Sequence, residues 1–212
     1  MSIARVAIGV CLAALLTLGA CGSTESAKQK SDEQFQQCNE HFQQGSEHMI
    51  AANEYREAGE SDKAQSEYET AQGEFDKALD KYGAVLAEDP DNVSALVNSG
   101  IVYYTKGELA KAIAQYQRAL EVAPNDADIH SNLAAAFVQS QELDDALEEY
   151  ELAVELDPEL AEAHLGLGVV YIQTNQNQKS ILAFERFLEL DKGQDPMASE
   201  QATRYLKELK GQ

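Results

Sequence analysis

The chain has 212 residues, with 16 Lys and Arg against 37 Asp and Glu, a formal charge of -21, 44% hydrophobic residues and no Trp. A charge of that sign repels phosphate backbones and no run of Lys or Arg offsets it, so nucleic acid is excluded as a partner. The hydrophobic fraction excludes wholesale disorder, and 3 Cys are too few for a disulfide framework. At the N-terminus Arg5 precedes an uncharged, mostly apolar stretch from Val6 to Leu18. A bilayer core needs about 20 such residues, so the stretch is too short to span one. A basic start before a short apolar run is instead the pattern of a cleaved signal peptide, expected over residues 1–20.

The tetrad Leu18-Gly19-Ala20-Cys21 resembles the bacterial lipobox at all four places. The resemblance implies that the Cys21 thiol receives a diacylglycerol and becomes the new N-terminus. Each buried methylene of such an anchor contributes roughly 0.8 kcal/mol. In the enterobacterial sorting pattern Gly22, in place of Asp, implies the outer membrane. Cleavage removes Arg5 and no acid, leaving a charge of -22. Cys11 leaves with the signal and Cys21 is acylated, so Cys38 alone keeps a thiol. Residues 21–32 show no apolar periodicity and are expected to form a flexible tether.

Residues 33–92 carry two helical seams. Phe35, Cys38, Phe42, Gly45, Met49 and Ala52 form the first, and Ala64, Tyr68, Ala71, Phe75, Ala78, Tyr82 and Val85 the second. Steps alternating between three and four predict a long antiparallel hairpin joined near Ala58-Gly59-Glu60. Its second helix should be close to 40 Å long at about 1.5 Å per residue. Gly73 weakens that helix by about 1 kcal/mol and marks a place where it can break.

From Val93 onward a period of 34 governs the chain. Gly100, Ala134 and Gly168 are so spaced, as are Tyr103, Phe137 and Tyr171, then Ala112, Ala146 and Ser180, and Pro90, Pro124 and Pro158. Helical periodicity within each half makes every unit two helices and a turn. Small residues let the helices approach and aromatics fill the space beside them. Gly107, Gln141 and Asn175 share the place where a left-handed residue ends a first helix. This pattern resembles the tetratricopeptide repeat family, with units over 93–126, 127–160 and 161–194. The third unit places Phe187 where Ala is usual and Lys192 where Pro is usual, which predicts a wider final packing step. Asp195-Pro196 offers an N-cap and a first-turn Pro for a helix in 195–212 that resembles the cap of such solenoids. The expected fold is all-α: a tetratricopeptide-repeat helical solenoid preceded by a long α-hairpin over 33–92 and closed by a C-terminal cap helix.

Beside the packing stripe of each first helix runs a second one: Val97, Ile101 and Tyr104, then Ser131, Ala135 and Val138, then Leu165, Val169 and Ile172. In the resembled family these offsets line a concave groove. With Asn98 and Asn132 on its rim, the groove implies a partner that lays an amphipathic helix or extended apolar segment along it. Two alternatives remain open: coverage by the chain's own N-terminal hairpin, and coverage by a second copy in a homodimer. The chaperone-adaptor branch clamps a C-terminal carboxylate with Lys and Arg. The matching offsets here hold Val97, Asn98, Ile101, Asn132, Glu162 and Gly166, so that ligand is disfavoured.

The acids Glu142, Asp144, Asp145, Glu148, Glu149, Glu151 and Glu155 read as a solvated face, or as a docking surface for a basic partner. His130 and His164 share one place in consecutive units, and Cys38 and His41 are three apart, but neither pair has an evident third ligand, so no metal is expected. Cys38 suits a small seam residue or a dimer disulfide. No nucleophile elbow, zinc-protease helix or phosphate loop is present, so neither catalysis nor a cofactor is expected. The resulting expectation is a membrane-anchored lipoprotein facing the periplasm, a scaffold or adaptor for another cell-envelope protein. Its architecture resembles the lipoprotein pilotins of type IV pilus secretins; adaptors for peptidoglycan hydrolases or outer-membrane protein assembly, and a self-associating structural protein, are the alternatives.

Overall fold

A computed structural model describes residues 25–211, all of whose regular elements are α-helices. The signal segment 1–20 and the lipidation residue Cys21 lie outside the described residues. The chain divides into two compact units, residues 25–108 and 109–211. The division falls in the turn inside the repeat 93–126.

The first unit contains α1 (Glu25–Glu57), α2 (Ser61–Glu88) and α3 (Val93–Lys106). Helix α1 begins at Glu25, within the span 21–32 read as a tether, whose residues 21–24 lie outside the described residues. The physical reason is that Glu25, Ala27, Lys28, Gln29 and Lys30 are good helix formers with no Gly or Pro among them; missing apolar periodicity says nothing about propensity. The turn between α1 and α2 contains Gly59 at φ 79°. Cys38, Phe42 and Ala52 on α1 are buried, as are Ala71, Phe75, Ala78 and Tyr82 on α2. The rings of Phe42 and Phe75 lie 5.9 Å apart and those of Phe35 and Tyr82 6.1 Å. Two rungs reinforce this seam: His41 Nδ1 to Glu74 Oε2 at 2.7 Å and His48 Nδ1 to Glu67 Oε2 at 2.6 Å. Helix α2 runs through Gly73 without a break, because the seam on both sides holds it. Asn92 caps α3 by accepting from Ala95 N at 3.0 Å, and Gly107 ends it at φ 78°.

The second unit contains α4 (Leu109–Val122), α5 (Ala127–Gln139), α6 (Leu143–Leu156), α7 (Ala161–Gln173), α8 (Asn177–Asp191) and α9 (Pro196–Lys210). Gln141 and Asn175 take the left-handed conformation at φ 65° and 59°. Ala146, Ala153 and Tyr150 of α6, and Ala183 and Phe184 of α8, form the buried faces of the second helices. Asp195 caps α9 by accepting from Met197 N and Ala198 N, each at 3.0 Å, with Pro196 in the first turn. Phe187, the large residue in a place where Ala is usual, is buried among Phe184, Leu165, Ala198 and Ala202. The two Ala of α9 supply the room that Phe187 takes. Among the described residues no helix is long and apolar enough to cross a membrane.

Candidate functional site

In the first unit α3 packs with Leu96, which is 1% exposed, and Gly100. One residue on, Val97, Asn98 and Tyr104 are half-buried and Ile101 is buried. Asn98 is engaged internally. The Tyr82 hydroxyl donates to Asn39 Oδ1 at 2.9 Å and bonds Asn98 as well, and burial holds that phenol well above its ordinary range. At the end of α3 the Lys106 ammonium is 8% exposed and pairs with Asp76 and with Glu108, the latter at 3.4 Å.

In the second unit Asn132 and Ala135 of α5 are half-buried and Val138 is buried. Helix α7 is different. Leu165 belongs to the cluster of Phe184, Phe187, Ala198 and Ala202, and Val169 and Ile172 pack against it together with Tyr205, Leu206 and Leu209. The last third of the expected groove lining is therefore brought together under α8 and the cap helix α9. Sequence spacing identified those three residues as apolar but did not reveal what covers them. The signal available was Leu209, which extends the apolar face of Ala198, Ala202, Tyr205 and Leu206 by one more helical step.

Around the start of α5 the potential is negative. Asp128 keeps an exposed edge, yet desolvation first, and then the charges of Asp126, Glu162 and Asp157, raise its carboxyl above the ordinary range. Such a place favours a cation on whatever lies beside it. The acidic run of α6 is exposed at Asp144, Asp145, Glu148, Glu151 and Glu155, as is Glu142 just before it, and Glu149 is half-buried. Two of these acids have internal partners that the sequence did not reveal. Glu149 meets His130, and Glu151 accepts from the Tyr171 hydroxyl at 2.8 Å while Lys179 lies 3.9 Å away. Burial first, then Glu151, pushes that phenol up to about 12.

Cys38 is fully buried in the hairpin seam, and burial pushes its thiol up to about 11. Its neighbour His41 is turned to Glu74. Among the described residues no group of three or more His, Cys, Asp or Glu is placed to hold a metal ion.

Comparison with known proteins agrees with this architecture. A family described as TPR repeat matches residues 69–107, 100–141 and 135–175, and one described as Tetratricopeptide repeat matches residues 161–194. No curated protein matches the chain. Among solved structures, the Sgt2 TPR domain from Aspergillus fumigatus is 29% identical over 56% of this chain and 76% of that one, with a TM-score of 0.52. MamA from Desulfovibrio magneticus RS-1 is 20% identical over 72% of this chain and 97% of that one, with a TM-score of 0.53. The first TPR of Spaghetti (RPAP3), solved bound to the HSP90 peptide SRMEEVD, is 22% identical over 58% and 94%, with a TM-score of 0.53. Paired helices at a 34-residue period, left-handed residues at Gly107, Gln141 and Asn175, and matches running through half of its length lead to one conclusion: the chain belongs to the tetratricopeptide repeat family.

Proposed function

We propose that the chain is a lipid-anchored adaptor of the bacterial envelope that binds a segment of another envelope protein through the second stripe of its repeats. The observation that carries this reading is the half-buried state of Val97 in the first unit and, taken by itself, of Asn132 and Ala135 in the second, at offsets a packing stripe does not need, in a family of protein-interaction scaffolds. Leu165 is buried in the cap-helix cluster, and Val169 and Ile172 pack against that cluster while staying half-buried. The peptide held by the Spaghetti repeat is acidic. Here Glu162 holds an offset where a carboxylate clamp would need a cation, and Asp128 lies within its field, so the partner segment is apolar or basic rather than an acidic tail. A type IV pilus secretin, a peptidoglycan hydrolase and an outer-membrane assembly component are the partner classes that fit an anchor at Cys21.

The test is affinity capture of the full chain from solubilised membranes, beside a Val97→Glu/Ala135→Glu variant and a Cys21→Ser variant. The reading expects one envelope partner lost with the double variant, and release from the membrane with Cys21→Ser. An unchanged partner set refutes the stripe, and membrane retention of Cys21→Ser refutes the anchor.

A further inference from the structure

Asp128 is the second residue of α5 and Glu162 the second residue of α7, so the two carboxylates hold one place in consecutive units, near enough for Glu162 to act on Asp128. Their acidic neighbours Asp126 and Asp157 are engaged in the turns, accepting from Ile129 N at 3.2 Å and from Glu159 N at 2.9 Å. Asp128 and Glu162 are exposed, and among the described residues neither bonds a cation. Desolvation and three like charges all act on Asp128 in one direction, and no described cation offsets them. Two helical turns further on, about 10 Å at 1.5 Å per residue, the same faces become apolar. Ala135 of α5 and Val169 of α7 are half-buried there, and Asn132 and Gly166 lie between the two ends. Both helices therefore carry one order along the stripe: a carboxylate, a small or polar residue, an apolar residue.

We propose, resting on the reading of the second stripe as the partner site, that the stripe of the second unit takes a segment of another protein with a Lys or Arg side chain beside Asp128 and Glu162 and an aliphatic side chain about 10 Å away on Ala135 and Val169. That separation is about three residues along an extended chain or about seven along a helix. Charge selects this occupant. A second copy, from a chain with 37 acids against 16 bases, sets carboxylates beside carboxylates, and so does an acidic tail. A wholly apolar segment desolvates Asp128 further and supplies no counter-charge.

The probe is a fluorescein-labelled peptide of three Lys-Ala-Ala-Leu repeats, which contains both spacings. Its binding to the full chain is read by fluorescence anisotropy at about 0.15 M salt, where exposed charges beyond about 8 Å are largely screened. Asp128→Asn/Glu162→Gln should weaken binding roughly five- to tenfold. Asp144→Asn/Glu148→Gln removes the same charge from exposed places on α6 and should change binding less than about twofold. A peptide with Glu in place of Lys should bind more weakly than the parent. Equal affinity of the two variants, equal binding of the Glu peptide, or no binding of the parent peptide overturns the proposal. Failure of the stripe reading itself looks different: a peptide with Ser in place of Leu then binds as tightly as the parent, and the proposal falls with it.

Discussion

Gly168→Ala probes the close approach of α7 to α8. A Cβ built on Gly168 falls 2.5, 2.6 and 2.8 Å from three ring carbons of Phe184. That ring is 0% exposed and stacks on Tyr205 with centroids 5.3 Å apart, so it has no open side to move toward. Separating the helices instead stretches the bond from Ser180 Oγ to the Gly168 carbonyl, now 2.7 Å. Overpacking of this kind costs about 1–3 kcal/mol, and three contacts shorter than any ordinary one place it at the upper end. Replacing a mid-helix Gly by Ala returns about 1 kcal/mol of propensity. The net is a loss of about 2 kcal/mol, or roughly 4–8 °C of thermal midpoint for a chain of this size. Gly73→Ala is the control: its Cβ meets nothing within 4 Å, so it should gain about 0.5–1 kcal/mol. Circular dichroism melts read both. A Gly168→Ala chain at least as stable as wild type refutes the packing argument.

Three further outcomes follow from local geometry. Gln141 holds φ 65° without the freedom of Gly, so Gln141→Gly should raise stability by about 1 kcal/mol in a urea titration, and a loss would contradict the left-handed assignment. Asp191 is 8% exposed and accepts from Gly193 N and Asp195 N at 3.0 Å and from Ser199 Oγ at 2.8 Å. Asp191→Ala should therefore destabilise the α8–α9 turn by about 2–3 kcal/mol, measured by the same titration; a neutral result would show that the carboxylate is dispensable. The Cys38 thiol, raised by burial from 9.0 to about 11, should react with a thiol reagent at pH 8 on the order of 100-fold more slowly in the folded chain than in denaturant. The sign for stability is that of a raised group: its contribution is complete below pH 9 and is lost as pH climbs toward 11. Equal labelling rates with and without denaturant would place Cys38 outside the seam.

What could be read from the sequence was whatever the repeat enforces locally. Gly107, Gln141 and Asn175 fall at one offset because a turn of fixed geometry recurs, and all three take positive φ. Asp195-Pro196 announced a capped helix because capping involves adjacent residues only. Contacts between distant residues were hidden. Leu165, Val169 and Ile172 have the spacing of a groove lining, and only the placement of α8 and α9 reveals that Leu165 is buried and that Val169 and Ile172 pack on the same cluster as Leu206 and Leu209. Glu149 looked like one more solvated acid until α5 brought His130 to it from 19 residues away. The start of α1 was missed for the opposite reason: helix propensity without an apolar face leaves no periodic trace.

The central claim is that the second stripe is where a partner lies. In-cell photo-crosslinking tests it most directly, with the crosslinking side chain placed in the full chain at Ala135 and, as a control, at Leu182, which is 61% exposed. A partner on the stripe predicts a discrete adduct with one envelope protein from position 135 and none from position 182. An adduct from position 182 with none from position 135 would contradict it.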